Sequence, residues 1–107
     1  MSVINITNEN FEREVLQAQK PVLVDFWAPW CGYCRRLAPV IDRMAENSDG
    51  SVVIAKLNVD DAQEIAARYR VDTIPTLYLF QNGGHGEPLV APSSQAQIDD
   101  WIKAQRG

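Results

Sequence analysis

The two cysteines of this chain are three residues apart, in the segment Trp30-Cys31-Gly32-Tyr33-Cys34, and they are its only cysteines. A short apolar run precedes the segment and an amphipathic stretch follows it, which indicates a junction between a strand and a helix. Such a junction points both thiols at the positive end of the helix, where thiolate is favoured. Thiolate attacks disulfides, so the spacing predicts a dithiol–disulfide oxidoreductase.

The same pair has two alternative interpretations, a buried structural pair or half of a zinc site. Zinc usually takes four ligands, and the chain offers two cysteines and one distant histidine, His85. We therefore expect no metal ligands and no cofactor beyond a reversible disulfide between Cys31 and Cys34.

Length and composition predict a single globular domain spanning residues 1–107, with 46% hydrophobic residues. A net charge of −4 disfavours a broad nucleic-acid surface, which would be basic. Apolar runs fall well short of the roughly 20 residues of a membrane helix. The first residues carry neither a basic segment nor a long apolar one, so we expect no signal peptide, a cytoplasmic protein and no membrane contact. We also expect a monomer.

Hydrophobic periodicity and turn residues predict the element order βαβαβαββα. The predicted strands are 3–6, 22–27, 52–59, 76–80 and 87–91. Helices are predicted after Thr7 or Asn8, over about 34–47, from Asp60 or Asp61 through Tyr69, and after Ser94. This order is typical of an α/β sandwich with three layers, in which a mixed central sheet of about five strands has helices on both faces.

Two charged residues interrupt strands that otherwise consist mainly of apolar residues. Asp25 lies in the predicted strand 22–27 and Lys56 in the strand 52–59. A buried carboxyl has a raised pKa, which would suit a proton carrier near neutral pH, and a neighbouring lysine would tune it. The pattern equally allows Asp25 on a solvated face and Lys56 extending to water.

Three segments together resemble the thioredoxin family. Residues 25–34, continued by Leu37-Ala38-Pro39, resemble its active-site region. Residues 56–60 resemble its third strand, and residues 73–76 resemble the segment that bears its cis-proline. The resemblance covers essentially the whole chain and implies a thioredoxin-like fold with protein disulfides as substrates and a thioredoxin reductase as electron donor.

The catalytic roles follow from the spacing and the resemblance together. Cys31, at or just before the first helical turn, is expected to be the nucleophile, and Cys34, about one turn later, to resolve the mixed disulfide. Asp25 is expected to act as general base for Cys34, and Lys56 to tune Asp25; the resemblance implies the same two roles.

The resemblance also implies a cis peptide bond before Pro75 and pairing of the Ile74 backbone with an extended substrate segment. Trp30, beside Cys31, is expected on an exposed apolar docking surface. The residues expected to contact substrate are Trp30, Gly32, Tyr33, Ile74, Pro75 and Ala91.

The chain departs from its family at several of these positions. Tyr33 stands where thioredoxins usually have proline, and its extra N–H should stabilise the Cys31 thiolate and make the protein a weaker reductant. Ala91-Pro92 replaces a common Gly-Ala, and Asp72 replaces a frequent basic residue, which points to a narrower clientele. An oxidase or isomerase, or a non-catalytic docking module, are the alternative functions.

Overall fold

The computed structural model describes residues 2–107. Its strands are β1 (Ile4–Ile6), β2 (Val22–Trp27), β3 (Val53–Asn58), β4 (Thr76–Gln81), β5 (Gly84–His85) and β6 (Leu89–Val90). A π-helical turn covers Glu12–Leu16, and the helices are α1 (Gly32–Glu46), α2 (Gln63–Arg68) and α3 (Gln95–Arg106).

The strands form one mixed sheet in the order β1-β3-β2-β4-β5, with β6 also paired to β4. β3 runs parallel to both β1 and β2, whereas β4 is antiparallel to β2, β5 and β6. The predicted α/β fold class is therefore confirmed. The predicted return strand 87–91 is shorter and begins only after Pro88, which has no N–H to donate to the sheet.

Side chains alternate between the two faces of β2, as the pleat of a strand requires. Val22, Val24 and Phe26 pack under the π-helical turn and α2. Leu23 packs on the opposite face, with the apolar sides of α1 and α3. Asp25 is two residues after Leu23, so its side chain lies on the same face of the sheet, the face that α1 covers.

The helix predicted after Thr7 or Asn8 is only a π-helical turn. The Thr7 side chain instead accepts a hydrogen bond from Glu9 N at 3.2 Å, and Asn10 Oδ1 accepts one from Thr7 N at 2.7 Å. These side-chain bonds form a turn that competes with a helical start. Phe11 and Val15 are nevertheless buried.

The cap predicted for α2 at Asp60 or Asp61 is wrong. Ala62 occupies the N-cap position and no side chain caps this helix. Asn58 forms the turn instead, because its side chain accepts a hydrogen bond from Asp60 N at 2.9 Å and its carbonyl accepts from Ala62 N at 3.0 Å. At α3 the cap is confirmed, since Ser94 Oγ accepts from Gln97 N at 3.2 Å.

Candidate active site

The two cysteines meet where α1 begins. Cys31 is the N-cap residue, with extended backbone angles, so the helix starts two residues earlier than the predicted position 34. The cysteines are joined by a disulfide across Cα atoms 5.2 Å apart. Cys34 N donates a hydrogen bond to Cys31 Sγ at 3.1 Å. The sulfur of Cys31 thus occupies the place of a capping oxygen, against the unpaired N–H groups of the first turn.

The two sulfurs differ in accessibility. Cys31 is 8% exposed and Cys34 only 2%. Both pack against Ala28, which is fully buried. An incoming disulfide can therefore approach the first sulfur, while the second lies behind it in the protein interior.

The segment before β4 passes beside the disulfide. The peptide bond between Ile74 and Pro75 is cis, as the family resemblance implied. Ile74 is half-buried, and its carbonyl oxygen lies 3.8 Å from Cys31 Sγ. The backbone of Ile74 therefore lies next to Cys31 Sγ, where a second extended chain could pair with it.

Asp25 is buried at 3% exposure beneath α1, and its Oδ1 has no hydrogen-bond partner among residues 2–107. Burial raises the pKa of this carboxyl to about 7, and the positive charge of Lys56 opposes that rise. The carboxyl lines a cavity of about 60 Å³ together with Cys34 and Lys56. That volume has room for one or two water molecules.

Lys56 is the direct neighbour of Asp25 across the parallel β2–β3 pair. Its ammonium group lies 4.7 Å from the centre of the Trp27 ring, a cation–π contact. It makes no ion pair with Asp25 within 4.0 Å. Lys56 therefore acts on the carboxyl through the field of its charge across the cavity.

Trp30 is 67% exposed beside the disulfide. Its indole N–H donates to Asp60 Oδ2 at 2.9 Å, which fixes the ring while leaving its face open. Gly32 is half-buried, and a Cβ built there would lie 3.7 Å from Arg36, an ordinary contact. Packing within the chain therefore does not require glycine at position 32.

Tyr33 and Ala91 are brought together, although 58 residues separate them. The Tyr33 hydroxyl lies 3.1 Å from the Ala91 carbonyl oxygen and 2.9 Å from that of Pro92. Ala91 has a positive φ of 48°, a region that favours glycine. Its N–H donates to the Pro75 carbonyl at 2.8 Å, so the loop is tied to the segment beside the sulfurs.

Sequence reasoning missed two neighbours of this site. Asp60 was expected to cap a helix, yet it anchors Trp30. Arg35 is exposed, and it also lines the Asp25 cavity and donates to the Pro29 carbonyl at 3.0 Å. No local pattern signals either role, because both depend on contacts between separate elements.

Among residues 2–107, no group of three or more His, Cys, Asp or Glu side chains is placed to hold a metal ion. His85, the distant histidine, lies on the short edge strand β5, with its ring centre 4.8 Å from that of Tyr78. In the same described part of the chain, none of the helices has the length and apolarity needed to cross a membrane.

Comparison with known proteins agrees with this geometry. The family model described as Thioredoxin matches residues 2–104. A thioredoxin of Porphyra purpurea is 41% identical over 102 residues, covering 95% of both chains. One of Pseudomonas aeruginosa is 41% identical over 102 residues, covering 95% of this chain and 94% of its own. A thioredoxin of Pyropia yezoensis is 49% identical over 90 residues, or 84% of each chain.

Proposed function

This chain belongs to the thioredoxin family and is a thiol–disulfide oxidoreductase, and on that premise we propose that it reduces protein disulfides through Cys31 and Cys34 with the roles set out below. The observation that carries the proposal is the position of Cys31 as N-cap of α1, with Cys34 N donating to its sulfur. Backbone N–H groups at a helix start stabilise a negative charge on that sulfur.

In the first step the Cys31 thiolate attacks one sulfur of a substrate disulfide. A bond forms between Cys31 Sγ and that sulfur while the substrate's S–S bond breaks, and the other substrate sulfur leaves as a thiolate that takes a proton from solvent. The lower exposure of Cys34 supports this order, because the buried thiol cannot meet the substrate first.

In the second step Cys34 gives its proton to Asp25, directly or through water in the shared cavity, and its thiolate attacks Cys31 Sγ. The Cys31–Cys34 bond forms, the bond to the substrate breaks, and the substrate leaves reduced by two electrons. A carboxyl whose pKa is about 7 can accept a proton at neutral pH and release it again. Lys56 sets that balance by favouring the charged carboxylate.

The surface proposed to hold the substrate surrounds the disulfide. Trp30 offers an open apolar face, Ile74 offers backbone groups beside Cys31 Sγ, and the Pro75 ring follows in the same segment. Gly32 and Tyr33 form the first turn of α1, and Ala91 lies beside Tyr33, with its carbonyl oxygen 3.1 Å from the Tyr33 hydroxyl. An extended substrate segment can bind here through main-chain hydrogen bonds and a few apolar contacts.

We infer that residues 1–107 form one domain that works as a monomer in the cytoplasm, with the Cys31–Cys34 disulfide as its only redox group. A thioredoxin reductase would resupply the electrons. A chain whose two cysteines form the redox pair suits a reducing compartment, where structural disulfides are rare.

The test is reduction of insulin under a supplied dithiol, with parent, Cys31→Ser and Cys34→Ser compared. We expect the parent to accelerate reduction and either substitution to abolish the acceleration. A parent that leaves the rate unchanged, as a docking module would, contradicts the proposal.

Tyr33 favours a second candidate function, disulfide isomerisation or oxidation, because its N–H adds a donor at the helix start and stabilises the reduced form. An isomerase would reshuffle a scrambled multi-disulfide protein and keep part of that activity in Cys34→Ser. Measuring the reshuffling of scrambled ribonuclease by the parent, Cys31→Ser and Cys34→Ser therefore separates the two functions.

A further inference from the structure

The hydroxyl of Tyr33 makes a contact that the exchange chemistry does not use. It lies within hydrogen-bond distance of two backbone carbonyls, those of Ala91 and Pro92. One hydroxyl carries one hydrogen, so the two acceptors share it. The guanidinium of Arg36 lies 5.2 Å from the centre of the Tyr33 ring and holds it from the other side.

The loop that receives this bond is fixed at its other side as well. Ala91 N donates to the Pro75 carbonyl at 2.8 Å, and Pro92 is buried. With φ at 48°, Ala91 occupies a conformation that a residue with a Cβ keeps only where surrounding bonds enforce it. The Tyr33 hydroxyl supplies one of those bonds and the Pro75 carbonyl the other.

This connection lies beside the reactive sulfur. Pro75 follows Ile74, whose carbonyl is 3.8 Å from Cys31 Sγ, and Val90, just before the loop, is 48% exposed. The first turn of α1, the 91–92 loop and the Ile74–Pro75 segment are therefore bonded into one rigid rim around the disulfide.

We propose that the Tyr33 hydroxyl is a specificity-determining group, which clamps the 91–92 loop to α1 and thereby selects thin, extended disulfide segments over folded ones. The inference rests on the proposed function, in that Ala91 and Pro75 belong to the surface proposed to hold the substrate. A fixed rim spares an extended segment the cost of ordering the loop. The same rim excludes a substrate that needs the loop to move aside, which is selection by exclusion.

The test variant is Tyr33→Phe, which removes the hydroxyl and keeps the ring, the Arg36 contact and the backbone N–H. Tyr78→Phe is the matched control. It removes the Tyr78 hydroxyl, which lies 2.9 Å from the Tyr69 carbonyl oxygen. Tyr78 belongs to the aromatic cluster on the other face of the sheet.

The first readout is hydrogen exchange at the Ala91 amide in the oxidised protein. Loss of a typical hydrogen bond should speed loop opening about fivefold in Tyr33→Phe and leave it unchanged in Tyr78→Phe. Equal exchange in parent and Tyr33→Phe would overturn the clamp. This readout needs no enzymatic activity, so it tests the clamp even if Cys31→Ser shows that the proposed function is wrong.

The second readout compares kcat/KM for two substrates. One is a short glycine-rich peptide dimer joined by one disulfide, which is extended, and the other is insulin, which is folded. The quantity measured is kcat/KM for the peptide divided by kcat/KM for insulin. We expect Tyr33→Phe to lower this ratio about fivefold, mainly through a higher KM for the peptide with kcat retained. An unchanged ratio, or the same change in Tyr78→Phe, would overturn the proposal. A shifted equilibrium with glutathione in Tyr33→Phe would also overturn it, since the hydroxyl would then act on the sulfurs.

Discussion

Asp25 shows most clearly how one residue's surroundings decide its chemistry. A carboxyl on an exposed strand face would be ionised at neutral pH, whereas this one is buried beneath α1 and keeps its proton up to about pH 7. A buried carboxyl with a pKa near 7 destabilises the folded protein when it is ionised. The same pKa allows the carboxyl to accept and release a proton at neutral pH. We propose that its role in the exchange reaction explains the presence of a residue that folding alone disfavours.

Asp25→Asn should stabilise the protein in a pH-dependent way. The pKa of this carboxyl is about 7 in the native state and about 3.8 in the unfolded chain, so its contribution to the free energy of unfolding is fully present below pH 3.8 and is lost between pH 3.8 and about pH 7. Asparagine resembles the neutral acid. Urea unfolding should find the variant close to the parent at pH 4 and about 4 kcal/mol more stable at pH 8.

Asp99→Asn, the same change on the exposed side of α3, is the control for that measurement. A stability gain from Asp25→Asn that is equal at pH 4 and pH 8 would contradict the raised pKa. Asp25→Asn should also slow the release of substrate from the mixed disulfide at pH 8, because Cys34 loses its proposed base.

Tyr33→Pro should make the protein a stronger reductant. Proline removes an N–H from the first turn of α1, so the Cys31 thiolate loses a donor and the reduced form loses stability. Equilibration with a glutathione buffer measures the shift, and about tenfold in the equilibrium constant is expected for one charge-assisted hydrogen bond. Tyr33→Phe keeps that N–H and is the control. A proline variant no more reducing than the parent would refute the explanation.

At the level of single residues, the sequence predicted the cysteine pair and marked Asp25 as unusual, but it left the burial of Asp25 open and predicted none of the supporting contacts. Cys31, Cys34 and Asp25 stand out because a thiol pair and a charge in an apolar strand are recognisable locally. The bonds from Trp30 to Asp60 and from Tyr33 to the loop join residues that are 30 and 58 or more positions apart. Neither partner carries a local signal of such a contact.

At the level of elements, α1 is the helix that positions the cysteine pair. Cys31 takes the N-cap position, so the helix begins with a sulfur where most helices have an oxygen. Prediction placed the start at Cys34, because apolar periodicity begins there and a cysteine is not a usual cap. The π-helical turn and the uncapped α2 were missed for a related reason: short side-chain bonds at Thr7 and Asn58 replace the expected caps.

The cap of α3 gives a direct test of element stability. Ser94 Oγ accepts from Gln97 N, so Ser94→Ala should lower the free energy of unfolding by about 1 kcal/mol. Urea unfolding measures the change, and Ser2→Ala, an exposed serine outside any helix, is the control. Equal effects of the two substitutions would show that the cap does not stabilise α3.

At the level of the whole molecule, one sheet unites the parts that the chemistry needs. Its β2 strand carries Asp25 toward α1, its β3 strand places Lys56 alongside, and its β4 strand follows the Ile74–Pro75 segment. The α/β order and the strand positions were predictable, since apolar runs and turn residues are local features. The short strand β5 was not predicted, because residues 82–84 read only as a turn and its pairing with β4 depends on tertiary contacts.

A shared sheet should also make unfolding cooperative. The two apolar clusters meet across β2 and β4, so we expect tryptophan fluorescence and far-ultraviolet circular dichroism to report one coincident transition in urea. Sedimentation equilibrium should give the mass of one chain. Two separate transitions would contradict the proposal of a single domain, and a doubled mass would contradict the monomer.

The most direct test of the central claim is alkylation of the reduced protein by iodoacetamide at pH 7. A thiolate held at the start of α1 should make Cys31 react at least about tenfold faster than glutathione, an ordinary thiol that is only a few per cent ionised there. Cys34→Ser should keep that rate and Cys31→Ser should lose it. A Cys31 that reacts no faster than glutathione would contradict the claim that this helix start activates the nucleophile.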